Sequence, residues 1–563
     1  MPQDAFSLRY LCQELNALFK GGKINRIIQP DNDQLVFTIY TGKRTEKLYI
    51  SVNPSCPRIG AIEQDKQSPI VAPNFCMLLR KHLLSATIEE ISLVGFDRIV
   101  KIDLLPNAEF FDAEKKTLYV ELMGRYSNII LTENGKVLGA NRGINVFDNG
   151  VRPLIVGREY LFPPVGDKKE PNDLKLIEYF DNFNGENLPK YLCDGVQGIA
   201  LSTAKEIVSS FDKNKNDIDF SKSFFDHVNN FLYNSKINPC VIKNQDQLVD
   251  VCVYPYECIK GETISFEKLY LAEDFYFTNK EKDKLFNSKK TRLENLVEAR
   301  LKKLKKKLSN ILSSENDARL AEENKIKGEL ILANCYNIKQ GQQSCLVYDY
   351  YKDQMVEIPL DVSLTPSKNA ERYYKKYNKQ KRTLEVTKEQ KAVVNKEIDY
   401  IQSIADEISL LETIEEADSL ELELESYGII KKQKEKVKKN LTEYRKYKIQ
   451  DFTVKVGRNN LENDKLTFSA EAKDVWLHSK DYHSSHIIIE AMGRKIPLEV
   501  ITVCAEICAY YSKARNAGKS EIVYTFKKNV KKPPKSKPGF CVYDNFKSII
   551  VNAKNHAEFI KNG

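Results

Sequence analysis

VEARLKKLKKKLSNI, residues 297–311, and VNKEIDYIQSIADEI, residues 394–408, share one apolar rhythm. Val297, Leu301, Leu304, Leu308 and Ile311 recur at spacings of 4, 3, 4 and 3, and so do Val394, Ile398, Ile401, Ala405 and Ile408. Between them stand mostly Lys, Glu, Asn and Gln. That pattern is the a/d seam of packed helices. Two seams in one chain, joined by a folded insert, predict an antiparallel hairpin of helices, the small insert lying at about residues 330–363. A homodimeric coiled coil is the other arrangement such seams allow. At ~1.5 Å per residue, arms of about 40 residues reach ~60 Å. Such arms bury little surface for their length, so their use is reach toward a large partner.

Outward from the hairpin, the 563 residues exceed what one hydrophobic core supports, which implies several domains. A hydrophobic content of 42% allows real cores, and no run of eighteen apolar residues predicts a membrane span. The first residues, MPQDAFSLRYLCQELN, lack the basic and apolar regions of a secretory signal. Twelve cysteines are scattered without a CxxC pair, the pattern of free thiols in a reducing cytoplasm. The formal charge of +9 is concentrated locally. Residues 281–307 hold 11 basic and 4 acidic side chains, and residues 513–538 hold 9 and 1. The first cluster reads equally as a solvated helix face. The second has almost no counter-charge and points to a polyanion.

Residues 1–170 read as mixed α/β. Helical periodicity from Asp4 to Phe19 ends at Gly21-Gly22, and a second helix is predicted over Asn74–Leu84. QLVFTIYT, EKLYISV, GFDRIVKIDLL, TLYVELMG and SNIILTENGKVLGA read as strands, with a hairpin turn at Asn134-Gly135. Asp97-Arg98 follows the Gly95-Phe96 turn at the start of a strand. A carboxylate beside a guanidinium reads base edges or braces a strand as an ion pair. Residues 171–275 read as mainly helical and polar. Within them VQGIALSTAKEIV, residues 196–208, has the look of one helix-hairpin-helix unit. Gly198 would make its turn, and free N–H groups at the following helix start would suit a phosphate. Pro366 and Ser367 predict the start of the return arm. Tyr373, Tyr374 and Tyr377, interleaved with Lys and Arg, suit either RNA stacking or the covering of the seam. In the last segment, residues 448–563, Lys527, Lys528, Lys531 and Lys532 flank a Pro-rich turn and are the strongest phosphate-binding candidates. Cys504 and Cys508 lie one turn apart on an apolar helix, as core residues do. His478, His483 and His486 lack the further ligand that a zinc site needs. No Walker loop, nucleophile elbow or metal cluster is visible, so no catalytic residue, metal or cofactor is expected.

FCMLLRKHL, GFDRIVKI and ELMGRYSNIIL, together with TPSKNAERYYKKYNK, VGRNNLENDKLTF, DVWLHSKDYHSSHIII and KPGFCVYDNFKSIIV, resemble the NFACT family over nearly the whole chain. The resemblance implies a multidomain α+β architecture. Its parts are a glycosylase-like amino-terminal domain (1–170), a helix-hairpin-helix domain (171–275), the antiparallel coiled-coil hairpin with its middle insert (276–447) and an α/β carboxyl-terminal RNA-binding domain (448–563). In glycosylases of that shape a proline after the initiator attacks the sugar and an adjacent glutamate assists. Here Pro2 is followed by Gln3, which cannot serve as a general acid, so the resemblance implies a nucleic-acid-binding shell and not an enzyme. It also implies the bacterial, ribosome-associated quality-control branch. Such proteins bind obstructed large ribosomal subunits carrying peptidyl-tRNA, recruit alanyl-tRNA, and support alanine tailing of stalled chains without messenger RNA. Asp97 and Arg98 then read tRNA, with Glu121 and Leu122 near the same site. Trp476 and His478 then shape a surface facing ribosomal RNA, although His483-Ser484 replaces the family's usual Pro-Gly in that loop. The expected place of action is the cytoplasm, on the ribosome and away from any membrane. A surface adhesin that binds fibronectin and a DNA glycosylase remain as alternatives. The missing signal peptide and the free-thiol pattern weigh against the first, and Gln3 and the missing four-cysteine finger against the second.

Overall fold

In the computed structural model the described residues are 3–106, 114–143, 152–211, 220–245, 247–431, 444–516, 518–534 and 536–559. Pro2 lies outside them. The chain divides into two compact units, Met1–Glu281 and Lys282–Gly563.

The first unit is built on nine antiparallel strands. These are β1 (Lys23–Asp31), β2 (Gln34–Tyr40), β3 (Thr45–Ser51), β4 (Arg58–Ala61), β5 (Thr87–Leu93), β6 (Ile99–Leu105), β7 (Lys116–Glu121), β8 (Asn128–Glu133) and β9 (Lys136–Ala140), in the order β4-β3-β2-β1-β5-β6-β7-β8-β9. Asn134 (φ +48°) and Gly135 (φ +76°) are both left-handed, which is what the two-residue turn between β8 and β9 requires. Helices α1 (Ala5–Phe19) and α2 (Asn74–Leu83) pack on the sheet. Helix α1 buries Phe6, Leu8, Leu11 and Leu15 of the stripe its periodicity predicts, together with Phe19, while Leu18 is half-buried. Four helices follow: α3 (Lys175–Asp181), α4 (Leu188–Gly195), α5 (Leu201–Ser209) and α6 (Phe220–Asn234). Residues 171–275 are not mainly helical throughout. They also contain a three-stranded sheet of β10 (Cys240–Asn244), β11 (Gln247–Cys252) and β12 (Glu262–Ser265). Its outer strands are largely exposed, so their residues carry no strong apolar alternation.

Helix α7 (Leu269–Arg319) is 51 residues long and runs from the first unit into the second. In the second unit it pairs with α9 (Pro366–Ser409), whose start is capped by the Thr365 hydroxyl, which accepts from Lys368 N. The pairing is antiparallel and within one chain. Arg300 pairs with Glu397, and further along α7, Lys391 lies 3.0 Å from Glu315. Of the predicted seam, Val297, Leu301, Leu304, Ile311, Val394, Ile401 and Ile408 are buried, while Leu308, Ile398 and Ala405 are half-buried. The insert consists of α8 (Ala321–Ala333), β13 (Ser344–Asp349) and β14 (Gln354–Pro359). Tyr373 donates to Pro359 O and packs on this insert, and Tyr374 lies against Gly328. These two tyrosines cover the hairpin.

A further helix, α10 (Ile414–Ser426), closes the seam at its base with Ala417, Leu420 and Leu424. The second unit ends in a six-stranded sheet, ordered β15-β16-β18-β17-β19-β22. The strands are β15 (Arg445–Ile449), β16 (Phe452–Val456), β17 (Val475–Ser479), β18 (Ile487–Ile489), β19 (Lys519–Phe526) and β22 (Lys547–Asn552). A separate pair, β20 (Val530–Lys531) and β21 (Val542–Tyr543), lies between β19 and β22 in the chain. Helices α11 (Asn460–Ser469) and α12 (Leu498–Tyr510) accompany the sheet, and α12 holds Cys504 and Cys508 in the core. No helix among the described residues is long and apolar enough to cross a membrane.

Candidate nucleic-acid interface

In the first unit, the sequence pairs 97–98 and 121–122 meet in space. Ile99 is in register with Glu121, and Leu122 N donates to Arg98 O at 2.9 Å. Gly95 takes φ +58°, which turns the chain sharply before β6. Asp97 Oδ1 accepts from Arg98 N at 2.7 Å, and both side chains are half-buried. The Asp97 carboxylate is thereby tied to the backbone of the next residue through one of its oxygens.

Glu121 and Leu122 have different surroundings. The Glu121 carboxylate is enclosed, accepts from Tyr160 Oη at 2.7 Å and meets Arg152 at 2.5 Å. Burial pushes its carboxyl above the usual range, against the pull of Arg152 and Tyr160. Leu122 is 1% exposed and belongs to the core. Both residues sit beneath the Asp97–Arg98 turn, where they hold the strand end and do not reach a ligand directly. The next residues do reach solvent. Gly124 (φ +58°) turns the chain, Tyr126 is 67% exposed, and the Arg125 guanidinium lies 4.6 Å over its ring. A cation stacked on an exposed aromatic is a surface for a base. The sequence ELMGRYS contained this pair, but nothing in its pattern showed which side chains point outward.

Gly198 is not a phosphate cradle. Its φ is +74°, and a Cβ there would come within 2.3 Å of Phe96 O. Its carbonyl accepts from Ala5 N at 2.8 Å. The start of α5 is already occupied by a carboxylate of the chain itself. Asp4, 3% exposed, accepts from Ala200 N at 3.1 Å and from Thr203 Oγ1 at 2.7 Å, while its other oxygen caps α1 through Ser7 N. The anion-binding character expected of that helix start is real, and Asp4 uses it. Gly198 thus presses the 196–208 loop against the turn that carries Asp97.

Gln3 is also structural. Its amide donates to Ile59 O at 2.7 Å and to Glu273 Oε2 at 2.6 Å, and accepts from Ile59 N at 3.0 Å. Burial pushes the Glu273 carboxyl up to about 8. Gln3, buried and with both N–H donors of its amide spent inside the fold, has no proton to offer a substrate.

In the second unit, the lysine cluster lies on a short 3-10 turn, Lys527–Asn529, and on β20. Lys527 N donates to Asp474 O and Lys528 N to Ala472 O, so the turn is pinned to the loop before β17. Lys528, Lys531 and Lys532 are exposed and Lys527 is half-buried. Lys532 reaches Asp464 at 2.6 Å, and Lys531 stands 3.6 Å from Asp544. Lys527 and Lys532 flank the Phe468 ring at 6.0 and 5.9 Å. Trp476 is 0% exposed and cannot stack on RNA. It lies in the sheet, its ring parallel to His478 at 5.6 Å. Burial lowers His478 to about 4 and His486 well below its ordinary value, so both imidazoles are neutral near pH 7. Among the described residues no group of His, Cys, Asp and Glu is arranged to hold a metal ion. The motif VGRNNLEN is explained by its bonds. Asn459 caps α11 through Glu462 N, Arg458 pairs with Glu462 at 2.6 Å, and Asn463 Oδ1 accepts from His486 N at 3.0 Å.

A rigid turn bearing Asp and Arg, an exposed Arg–Tyr stack, and a pinned lysine turn define a class: a multidomain α+β nucleic-acid-binding protein. The chain belongs to the NFACT family, since residues 4–443 match its N-terminal and middle domains and residues 442–540 match the NFACT protein RNA binding domain. It is 31% identical over 558 residues to a Bacillus subtilis (strain 168) protein named "Rqc2 homolog RqcH", covering 96% of each chain. It is 31% identical over 561 residues to the Streptococcus suis (strain 05ZYH33) protein of the same name, covering 98% of each. Among solved structures, the N-terminal part of the fibronectin/fibrinogen-binding protein from Streptococcus suis is 28% identical. It aligns with 49% of this chain and 99% of that one, at a TM-score of 0.42.

Proposed function

We propose that the protein is a ribosome quality-control factor that binds RNA and works on the ribosome. The observation that carries this reading is the match, over 96–98% of each chain, to proteins named "Rqc2 homolog RqcH", in a chain whose residues 442–540 match an RNA binding domain. In the fuller reading it binds obstructed large subunits carrying peptidyl-tRNA and recruits alanyl-tRNA for mRNA-independent alanine tailing. Asp97 and Arg98 read the tRNA, with Arg125 and Tyr126 beside them, and Lys527, Lys528, Lys531 and Lys532 meet ribosomal RNA phosphates. The four segments 1–170, 171–275, 276–447 and 448–563 would act as glycosylase-like shell, helix-hairpin-helix module, reaching arm and RNA anchor.

On this reading the ribosome makes the peptide bond. The protein supplies the position and effective concentration of the tRNA, so it requires no catalytic group of its own. A cytoplasmic setting follows from the ribosome as partner. The adhesin alternative draws no support from the geometry of either unit. Sequencing the RNA that co-purifies with the chain tests the proposal. Large-subunit rRNA and a narrow set of tRNAs are expected, and RNA no different from that of a mock purification contradicts it.

A further inference from the structure

The two large sheets have four end strands, and three of them are covered. In the first unit β4 is buried throughout. Strand β9 is bonded along its outside, Val137 N donating to Arg158 O and Gly157 N to Val137 O, both at 2.8 Å. In the second unit the turn Ala557–Phe559 lies beside β15. The fourth end is β22. It pairs with β19 in an unbroken register, from Lys519–Asn552 to Tyr524–Lys547, and no described strand pairs with its other side. The chain beyond β22 does not return along it. Lys554 N donates to Glu506 O at 3.3 Å and His556 meets the Glu506 carboxylate at 2.5 Å, so the described tail is tied to α12.

An open edge is a row of N–H and C=O groups ready to bond a further strand. Folded proteins blunt such edges with proline, bulges or inward-pointing charges. Strand β22 carries none of these. Its residues are Lys-Ser-Ile-Ile-Val-Asn, the register holds no bulge, and only the terminal Lys547 is charged. Ile549, Ile550 and Val551 are β-branched, as strands favour. Ile550 is nevertheless 66% exposed, and Phe546, just before the strand, 46%.

The charge pattern selects the occupant. With a single cation at one end, the edge has little to hold a phosphate chain or a charged peptide, but it matches itself. A two-fold axis perpendicular to the sheet sets two copies of β22 antiparallel and keeps like faces together. With the axis at Ile550, Ile550 meets Ile550, Ile549 meets Val551, Ser548 meets Asn552 and Lys547 meets Ala553. Apolar residues face apolar ones at the centre, and no like charges oppose. We propose that β22 is an interface for a second copy of this chain. The two edge strands pair antiparallel about Ile550 and join the six-stranded sheets of two protomers into one. Six residues fall well short of the roughly 20–30 a side of a standard interface, so the pairing is weak and reversible.

Sedimentation velocity on the full chain tests it, after nuclease treatment so that RNA cannot bridge copies. Across a series from low to high micromolar, the mean mass should climb toward twice that of the monomer. Ile550→Lys sets two ammonium groups face to face at the axis, and Ile550→Glu two carboxylates. Each variant alone should stay at the monomer mass. Mixed in equal amounts they place a lysine opposite a glutamate and should recover the association. Because Ile550 is exposed, both should unfold at the wild-type midpoint, which separates loss of association from loss of fold. If neither variant folds, the wild-type series decides alone. A wild type that stays monomeric throughout, as an edge reserved for another protein's strand would, overturns the proposal. So does association that survives Ile550→Lys unchanged, or a mixture of the two folded variants that stays monomeric.

Discussion

The Asp97–Arg98 turn carries one acid and one base on a frame with little play, whereas the turn at Lys527–Lys532 carries four ammonium groups on long flexible stems. The first is held from below by Glu121, Leu122 and the close approach of Gly198. The second is held through its backbone, by the bonds of Lys527 and Lys528 and by the β20–β21 pairing, while its ammonium groups stand outside, two of them shared with Asp464 and Asp544. Phosphate contacts supply affinity and register, while base contacts supply discrimination. A rigid pair suits discrimination because a displaced donor reads nothing. A flexible cluster suits phosphate, which accepts charge from many directions. Under the proposed function, choice of RNA would fall to the first unit and hold on RNA to the second.

The comparison breaks most severely at Gly198. An added methyl would meet Phe96 O at 2.3 Å in a backbone at φ +74°, so one or the other must move. Gly198→Ala should destabilise the first unit by about 3 kcal/mol and loosen the Asp97 turn. Thermal unfolding of the isolated variant protein checks this, and an unchanged midpoint would show that the turn does not depend on the glycine.

A smaller effect is expected from replacing Lys527, Lys528, Lys531 and Lys532 together by Ala. Each true phosphate contact should lower the log–log salt slope of large-subunit binding by about 0.7–0.9. Lys528 is exposed and has no ion pair among the described residues, so it should contribute more than Lys532, whose ammonium must first leave Asp464. Binding across a salt series measures it. An unchanged slope would take the hold on RNA away from this turn.

The smallest effect sharpens the contrast through pH. Glu273 in the first unit is raised from 4.5 to about 8 by burial. The folded state therefore keeps a proton that the unfolded state has lost, and stability falls as pH rises from about 4.5 through 8. In the second unit His478 is lowered from 6.5 to about 4, so its contribution is lost as pH falls through that window. Glu273→Gln should raise stability by about 1–2 kcal/mol at pH 8.5 and leave it nearly unchanged at pH 5. Denaturant titrations at the two values compare them, and an equal gain at both would mean that the carboxyl is not protonated in the fold.

The parts of this architecture that could be read in the sequence are those with a periodic core. Strands β7 and β9 alternate, and the hairpin seam keeps its 4-3 spacing, because each buries one continuous face, whereas β2, β3, β4 and β8 are buried on both faces and show only their apolar content. Helix α10 was hidden. Its Glu416, Glu421 and Glu423 are all buried, and their partners Arg445, Lys289 and Tyr400 come from distant segments. The site residues divide in the same way. A lysine run is visible from composition alone. The inward direction of Trp476, Glu121 and Leu122, and the capture of the α5 start by Asp4, depend on contacts between segments far apart in the chain.

The central claim is that Asp97 and Arg98 choose the RNA while the lysine turn holds it. The double variant Asp97→Ala, Arg98→Ala tests it on one preparation, by thermal unfolding, large-subunit pelleting and tRNA recovery. The account predicts an unfolding midpoint within a few degrees of the wild type, since neither half-buried side chain fills the core. Subunit pelleting should be retained, and recovered tRNA should fall at least tenfold, as the loss of a paired base contact implies. Normal tRNA recovery from a folded variant, or loss of pelleting in step with a lowered midpoint, would contradict it.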